Sequence, residues 1–305
     1  MSTGEALGLL LFVGVVVAVY FYALKTFVRA LGGAITNSWK TYLLYGAAVV
    51  GIVCMLYGRF VEPYWLEVTH VSIASPKIPR GGKLRIAHIS DLHSDAKARL
   101  EESLPGVVAA ERPDVIVFTG DSVNSSEAVP VFRGFLQKVS KVAPTFVVRG
   151  NWDTAYWGDL DLFDGTGVVE LNGAGRVVDV RGVKVGIAGV AFANQKNLER
   201  ALIGIPANAF SVFLYHTPDL IKEVASRHVD LFCAGHTHGG QVAIPGYGAI
   251  LTFSKFGKQY EAGLHREGKT ALYVNRGIGM EGGNAPRVRF WARPELTIID
   301  VVPSS

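Results

Sequence analysis

Two apolar runs without a single charged residue, Ala6 to Leu24 and Thr41 to Gly58, constrain this chain more than any other feature. Each is long enough to cross a hydrocarbon core of ~30 Å as a helix. The first has no basic segment before it and no small-residue cleavage site after it, so it reads as a retained helix and not as a cleaved signal. The chain of 305 residues therefore divides into an anchor, residues 1–62, with transmembrane helices over about 6–24 and 41–58, and a domain, residues 63–305, long enough for one sizeable core. This predicts a multi-pass membrane protein with the lipid bilayer as a partner, in the inner membrane if the source is bacterial. Lys25, Arg29 and Lys40 flank the connecting stretch with no acid among them, which favours a cytoplasmic loop and a domain on the opposite side. Arg59, Lys77, Arg80, Lys83 and Arg85 follow closely enough to make the contrast shallow, and the side stays open.

A net charge of +4 with no basic stripe gives no reason to expect nucleic acid as a partner. The two cysteines, Cys54 in the second apolar run and Cys233 in an apolar strand, supply neither a disulfide framework nor a thiolate metal site. Both read as buried apolar residues.

Beyond the anchor, WLEVTHVSI reads as a strand and SPKIPRGGK as a turn. Four short apolar runs follow, LRIAHIS, DVIVFTG, TFVVRG and DLFCAG, each ending in polar or glycine-containing sequence, as buried sheet strands do. Helical patterns over Lys97–Glu111 and Val129–Val142 separate the first three, giving a βαβαβ alternation. VVEL, RVVDV and VKVGIAGV, divided by Asn-Gly and Arg-Gly, predict hairpins in a second sheet. The expected fold class is α/β, a layered sandwich of two mixed β-sheets flanked by helices, with the two-helix anchor at its N-terminus.

Metal-binding residue types recur at the strand exits: Asp91 and His93 in SDLHSD, Asp121 in TGDSVN, Asn151 and Asp153 in RGNWD, His216 in LYHTP, His236 and His238 in AGHTHGG. Ends of strands in open α/β sheets are where loops commonly build sites. Residues two apart at such an exit can turn to one side, so Asp91 with His93, and His236 with His238, are each expected to serve one place. Carboxylate, imidazole and amide oxygen together suit borderline divalent ions, manganese first, with iron, zinc or cobalt as alternatives. Seven such groups exceed one tetrahedral site. Two ions sharing a carboxylate can clamp the attacking and leaving oxygens of a phosphoryl displacement.

The order D-x-H, G-D, G-N-x-D, H, G-H-x-H resembles the calcineurin-like metallophosphoesterase family, over residues 84 to 302. GHTHGGQ with the later YVNRGIG is similar to its membrane-associated or exported bacterial branch, which includes the UDP-2,3-diacylglucosamine pyrophosphatases of lipid A synthesis. The resemblance implies a metal-dependent phosphodiesterase or pyrophosphatase. It implies one ion held by Asp91, His93, Asp121 and His238, and another by Asp121, Asn151, His216 and His236. Its substrate would be a phosphate ester or diphosphate, with a lipid-linked one such as UDP-2,3-diacylglucosamine fitting the anchor. The competing functions are an exported phosphodiesterase acting on envelope phosphodiesters and a catalytically weak metal-binding sensor or scaffold.

One position departs from that family. Where it carries a histidine thought to assist the leaving group, this chain has Trp152, which cannot exchange a proton as imidazole does. That leans the expected chemistry toward leaving groups that are already good anions, such as a nucleoside monophosphate; the alternative is that Trp152 packs and water supplies the proton. Asp153 is the expected orienting residue. Arg149 and Arg276 are candidates for substrate phosphate, with Arg287 and Arg289 behind them. Gly277, Gly279, Gly282 and Gly283 could let backbone N–H groups approach an anion. His70, His88, His228 and His265 have no block around them and read as structural or exposed.

Overall fold

A computed structural model describes residues 3–34, 38–281 and 287–304. Both apolar runs are helices, α1 over Thr3–Leu31 and α2 over Trp39–Phe60. Each is long and apolar enough to cross a membrane. Leu10, Leu11, Phe21, Val49, Val50 and Ile52 are among the many large apolar side chains left exposed along them. Exposure on this scale is disfavoured in water by ~25 cal/mol per Å² and suits a hydrocarbon surround. Ser38 caps α2, accepting from the Lys40 N–H at 3.3 Å. The Tyr20 hydroxyl donates to the Ala48 carbonyl at 3.1 Å, next to Gly51, where a Cβ would meet the Tyr20 ring. That bond joins the middles of the two helices.

The rest of the chain runs β1 (Glu67–Ser75), β2 (Leu84–Ile89), α3 (Leu104–Glu111), β3 (Val115–Phe118), α4 (Val129–Val139), β4 (Thr145–Val147), α5 (Asn151–Tyr156) and β5 (Val169–Glu170). It continues through β6 (Ala174–Val180), β7 (Val183–Gly189), α6 (Leu198–Leu202), β8 (Phe210–Leu214), α7 (Ile221–Ser226) and β9 (Leu231–Ala234). It ends with β10 (Ala243–Ile244), β11 (Gly248–Ala249), β12 (Gly263–Glu267), β13 (Thr270–Val274) and β14 (Glu295–Pro303).

Two six-stranded sheets result, in the orders β1-β14-β2-β3-β4-β5 and β12-β13-β9-β8-β7-β6. Both are mixed: β2 to β5 are parallel with β14 antiparallel to β2, and β7, β8, β9 and β13 are parallel with β6 and β12 antiparallel at the two edges. Strand alternation builds three cores. Leu84 and Ile86 of β2 meet Val185, Val212, Leu231 and Cys233 of the facing sheet. Ala87 and Ile89, one residue out of phase, pack with Leu104, Phe132 and Leu136 of α3 and α4. Phe213 and Phe232 pack with Ile221 and Val224 of α7. The order is helix, sheet, sheet, helix, so the expected sandwich and βαβαβ alternation are observed, and Cys233 is buried between the sheets.

Local boundaries differ from the sequence expectation where turns intervene. The first domain helix covers only Leu104–Glu111 of the expected stretch, because residues 97–103 carry bends and turns, closed by the Leu104 N–H bond to the Leu100 carbonyl at 2.9 Å. VVEL contributes β5 to the first sheet, pairing Val169 with Phe146, and does not join the hairpin of the second. The anchor boundary at residue 62 cuts through a contact. Glu62 is buried, and its carboxylate accepts from the N–H groups of Trp291 at 3.0 Å and Ala292 at 2.6 Å, so by its bonds it belongs to the α/β domain. Two further ties join the N-terminal helices to this region. The Arg289 N–H donates to the Gly58 carbonyl at 2.8 Å, and Glu5, at the start of α1, accepts from the Thr252 N–H at 3.0 Å and hydroxyl at 2.7 Å. The first turn of α1 and the last of α2 therefore meet the same domain.

Candidate metal centre

The loops leaving β2 and β3 stay zipped past the strands. The Asp91 N–H donates to the Gly120 carbonyl at 2.9 Å and the His93 N–H to the Asp121 carbonyl at 3.0 Å. The backbone at the site is unusual. Asp91, His93, Asp121, His236 and His238 all have positive φ, between 40° and 73°. A non-glycine residue there costs on the order of 1–3 kcal/mol, and such strain gathers where surrounding structure over-determines a site. The loops also approach too closely for side chains: a Cβ on Gly150 would run into the Asp121 carboxylate, and one on Gly120, at φ 100°, into the Gly150 backbone.

Asp153 holds this junction. It is fully buried, and its Oδ2 accepts from the N–H groups of Asp121 and Gly150, both at 2.9 Å, while Oδ1 accepts from Ser122 at 2.8 Å. It thus orients the loops that carry Asp121 and Asn151. With all three bonds spent on backbone, it is not the partner of residue 152 that sequence adjacency suggests.

Two trios of ligand atoms result, each within 4.8 Å of one another: Asp91, His93 and His238, and Asp121, His216 and His236. The pair Asp91 and His93 therefore serves one place, as expected, whereas His236 and His238 divide between the two. Asp121 lies at the seam. Its Oδ2 is 3.2 Å from His216 Nε2 and 3.5 Å from His93 Nε2.

The hydrogen bonds leave coordinating atoms over. His216 Nδ1 is 2.7 Å from the Thr119 carbonyl and His93 Nδ1 is 3.0 Å from Asn124 Oδ1. An imidazole that donates from one nitrogen presents the lone pair of the other. His93 Nε2, His216 Nε2 and Asn151 Oδ1 are buried and have no hydrogen-bond partner. Buried polar atoms are rarely left so, and two imidazole nitrogens with an amide oxygen beside two aspartates form a donor set that fits divalent cations. The titration behaviour agrees. Burial lowers His216, but the Asp121 carboxylate overrides it and raises the imidazole to about 10, and His93 is raised in the same way. Burial raises Asp121, but His216 and His93 hold it well below the usual carboxylate range. Protons here occupy a strongly cation-favouring field, and binding a metal would release them. His236 is lowered to about 4 by burial and then by His216, and His238 well below the ordinary value by burial and then by His93. Arg289, fully buried, places Nη2 3.2 Å from His238 Nδ1.

A cavity of about 380 Å³ opens over these groups, lined by Asp121, Asn151, Trp152, Phe192, His236, His238, Phe253 and Glu281. Trp152 is a wall of the cavity and not a core residue. Its ring meets His93 edge-on at 5.5 Å and its Nε1–H donates to Glu281 Oε1 at 3.3 Å.

The arginines expected to meet phosphate are otherwise engaged, and neither Arg149 nor Arg276 lines the cavity. Arg149 pairs with Glu170 at 2.9 Å and donates to the carbonyls of Trp157 and Leu160. Arg276 pairs with Glu67 at 2.8 Å and Glu295 at 3.3 Å. Arg287 pairs with Asp95, and Arg289 donates to the carbonyls of Gly279 and Ala292. The N–H groups of Gly277 and Gly279 are taken by Asn275 Oδ1 and the Asp91 carbonyl, leaving no cradle for an anion there; Gly282 and Gly283 lie outside the described residues. His70, His88, His228 and His265 do not line the cavity. Sequence reading missed Asn124, although its place three residues after Asp121 was a visible signal. It also missed Glu281 and Phe253, which nothing near them in sequence marks.

Residues 84–240 match the model of the calcineurin-like phosphoesterase family. The chain belongs to that family. Among its relatives, the metallophosphoesterase YkuE of Bacillus subtilis is 32% identical over 255 residues, covering 79% of this chain and 87% of that protein. The phosphodiesterase YaeI of Escherichia coli is 27% identical, covering 81% and 92%. The UDP-2,3-diacylglucosamine pyrophosphatase LpxG of Chlamydia muridarum is 24% identical, covering 85% and 96%. As a calcineurin-like phosphoesterase the protein is a metal-dependent hydrolase of phosphoesters, from a family with a dinuclear divalent metal site.

Proposed function

We propose that this phosphoesterase holds one divalent ion at Asp91, His93, Asp121 and His238 and a second at Asp121, Asn151, His216 and His236, and hydrolyses a phosphodiester or diphosphate bond in a membrane-linked substrate. The observation that carries this reading is the set of three buried ligand atoms without a hydrogen-bond partner, His93 Nε2, His216 Nε2 and Asn151 Oδ1, with both imidazole nitrogens facing the Asp121 carboxylate. Manganese is the first choice for this mixture of oxygen and imidazole donors. Such ions supply Lewis acidity toward phosphoryl oxygens and a nucleophile at neutral pH. The chain's own residues do the positioning. Asn124 and the Thr119 carbonyl fix two imidazoles, Asp153 fixes the loops of Asp121 and Asn151, and Phe192, Phe253 and Trp152 give the cavity apolar walls that limit water.

The membrane-linked substrate is inferred from the anchor. In this reading α1 and α2 cross the bilayer as a hairpin, a multi-pass arrangement that keeps the domain at the membrane surface. Glu5 of α1 grips Thr252, and the next residue, Phe253, lines the cavity. The cavity wall is thus one residue from the anchor, which suits an amphiphile whose headgroup reacts while its chains stay in the bilayer. UDP-2,3-diacylglucosamine, named for the relative LpxG, is a substrate of this kind. A second reading, an exported phosphodiesterase, draws support from Lys25, Arg29 and Lys40 at the ends of α1 and α2 away from the domain. A nucleotide-linked lipid requires the domain to face the cytoplasm.

The test is the full chain purified in detergent and loaded with manganese, given bis(p-nitrophenyl) phosphate and, in mixed micelles, UDP-2,3-diacylglucosamine. A reporter fused after the last residue establishes the side. Hydrolysis of both with a cytoplasmic C-terminus supports the pyrophosphatase reading. Hydrolysis of the diester alone with an external C-terminus supports the exported enzyme. Two bound manganese ions and no hydrolysis would establish a sensor or scaffold and overturn both.

A further inference from the structure

Among the described residues, Asp121 and Glu281 are the two carboxylic acids that line the cavity, and Glu281 is not among the seven expected ligands. It is fixed at both ends. Its backbone N–H donates to Gln241 Oε1 at 3.0 Å, and its Oε1 accepts the Trp152 indole N–H at 3.3 Å. Trp152 is itself locked, with its own N–H on Asp121 Oδ1 at 2.9 Å and its ring against Tyr156 at 4.8 Å as well as His93. An indole donates and never accepts. Trp152 therefore cannot pass a proton to a leaving group, but it can hold one oxygen of a carboxyl while the acidic proton rides on the other.

We propose that Glu281, positioned by Trp152, is the proton donor to the leaving-group oxygen of the hydrolysed ester. The proposal rests on the phosphoesterase reading given above. The geometry supplies a proton donor on the cavity wall formed by residue 152, from a distant part of the chain. In the step, a water oxygen forms the new bond to phosphorus and the bond from phosphorus to the leaving oxygen breaks. The electron pair of that bond stays on the leaving oxygen, which takes the carboxyl proton of Glu281. The attacking water gives a proton to solvent, and the Glu281 carboxylate regains one from solvent.

General acid catalysis contributes most where the leaving group is basic, and this sets the experiment. Glu281→Gln and Trp152→Phe are made in the full chain, loaded with manganese, and given bis(p-nitrophenyl) phosphate, with an acidic leaving group, and diphenyl phosphate, with a more basic one. Glu281→Gln is expected to lose on the order of 10²-fold in kcat on diphenyl phosphate and less than about threefold on the nitrophenyl ester. Trp152→Phe should show a smaller loss with the same substrate bias, because the carboxyl remains but is less well held. Manganese content, measured by elemental analysis, should stay at the wild-type level in both. Equal loss on the two substrates, no loss on either, or loss of manganese from Glu281→Gln would overturn the proposal while leaving the phosphoesterase reading intact. Wild-type protein that cleaves neither ester would overturn both.

Discussion

Replacing Asp153 by alanine should be among the most damaging single changes in the α/β domain, although Asp153 is not an expected metal ligand. Its carboxylate accepts from three backbone N–H groups and is fully buried. Alanine leaves all three donors unpaired in a dry site, at about 1–3 kcal/mol each. Allowing for non-additivity and some entry of water, the expected loss is about 3–6 kcal/mol, a large part of a typical stability of 5–15 kcal/mol. Asparagine is the graded control. With its amide oxygen in the Oδ2 position it keeps the bonds from Asp121 and Gly150, but it turns an NH₂ toward the Ser122 N–H, losing one bond, about 1–3 kcal/mol. Burial and then Asp121 raise the Asp153 carboxyl, which opposes the charged form that three accepted bonds select. Among the described residues nothing around it would accept a proton from a protonated oxygen, so the three accepted bonds hold the carboxylate charged. The assay is denaturant unfolding of full-length protein in detergent, with manganese content measured in parallel. Asp153→Asn should fall between wild type and Asp153→Ala, with manganese affinity reduced about 10–100-fold as for other residues that orient ligands. An alanine variant within about 1 kcal/mol of wild type with its metal retained would refute the claim that Asp153 sets these loops.

Asp121→Ala should reduce hydrolysis of bis(p-nitrophenyl) phosphate by more than the ~10–100-fold typical of losing an outer hydrogen-bond partner, because in the proposed arrangement both ions use this carboxylate; activity above a tenth of wild type would count against sharing. Deleting residues 1–60 should leave a folded phosphoesterase. Deleting 1–62 also strips Glu62 from the Trp291 and Ala292 N–H groups and should cost a further ~2–4 kcal/mol, measured as a lower denaturation midpoint. His88 is buried with its pKa pushed down to about 3 by burial. A depressed histidine stabilises the fold fully above its unfolded value of ~6.5 and loses that contribution as pH falls toward 3, at ~1.4 kcal/mol per unit. Between pH 7 and 5 the wild type should therefore lose about 2 kcal/mol more than His88→Gln, by urea unfolding at the two pH values.

Much of this protein is legible in one dimension because its determinants are local. A charge-free run of helical length can be recognised without knowing its neighbours. A strand that ends in Gly-Asp or Gly-His places that residue at a sheet edge by its own alternation and turn chemistry. Six of the seven expected ligands fall into two adjoining trios, and Asp121, Asn151, His236 and His238 line one cavity, for this reason; the two-sheet sandwich follows from the same strands. What sequence could not decide depends on groups that meet only after the chain has folded. The arginines expected at the phosphate were assigned by charge alone, yet Glu170, Glu67, Glu295 and Asp95 arrive from other elements and neutralise Arg149, Arg276 and Arg287. The spacing of His236 and His238 suggested one shared place; they separate into different trios, as the family resemblance implied and the spacing alone did not. Trp152 looked like the loss of a proton donor. Only the tertiary structure brings Glu281 to it across 129 positions of sequence, because a carboxyl and an indole N–H find each other by the fold of the backbone and not by their separation along it.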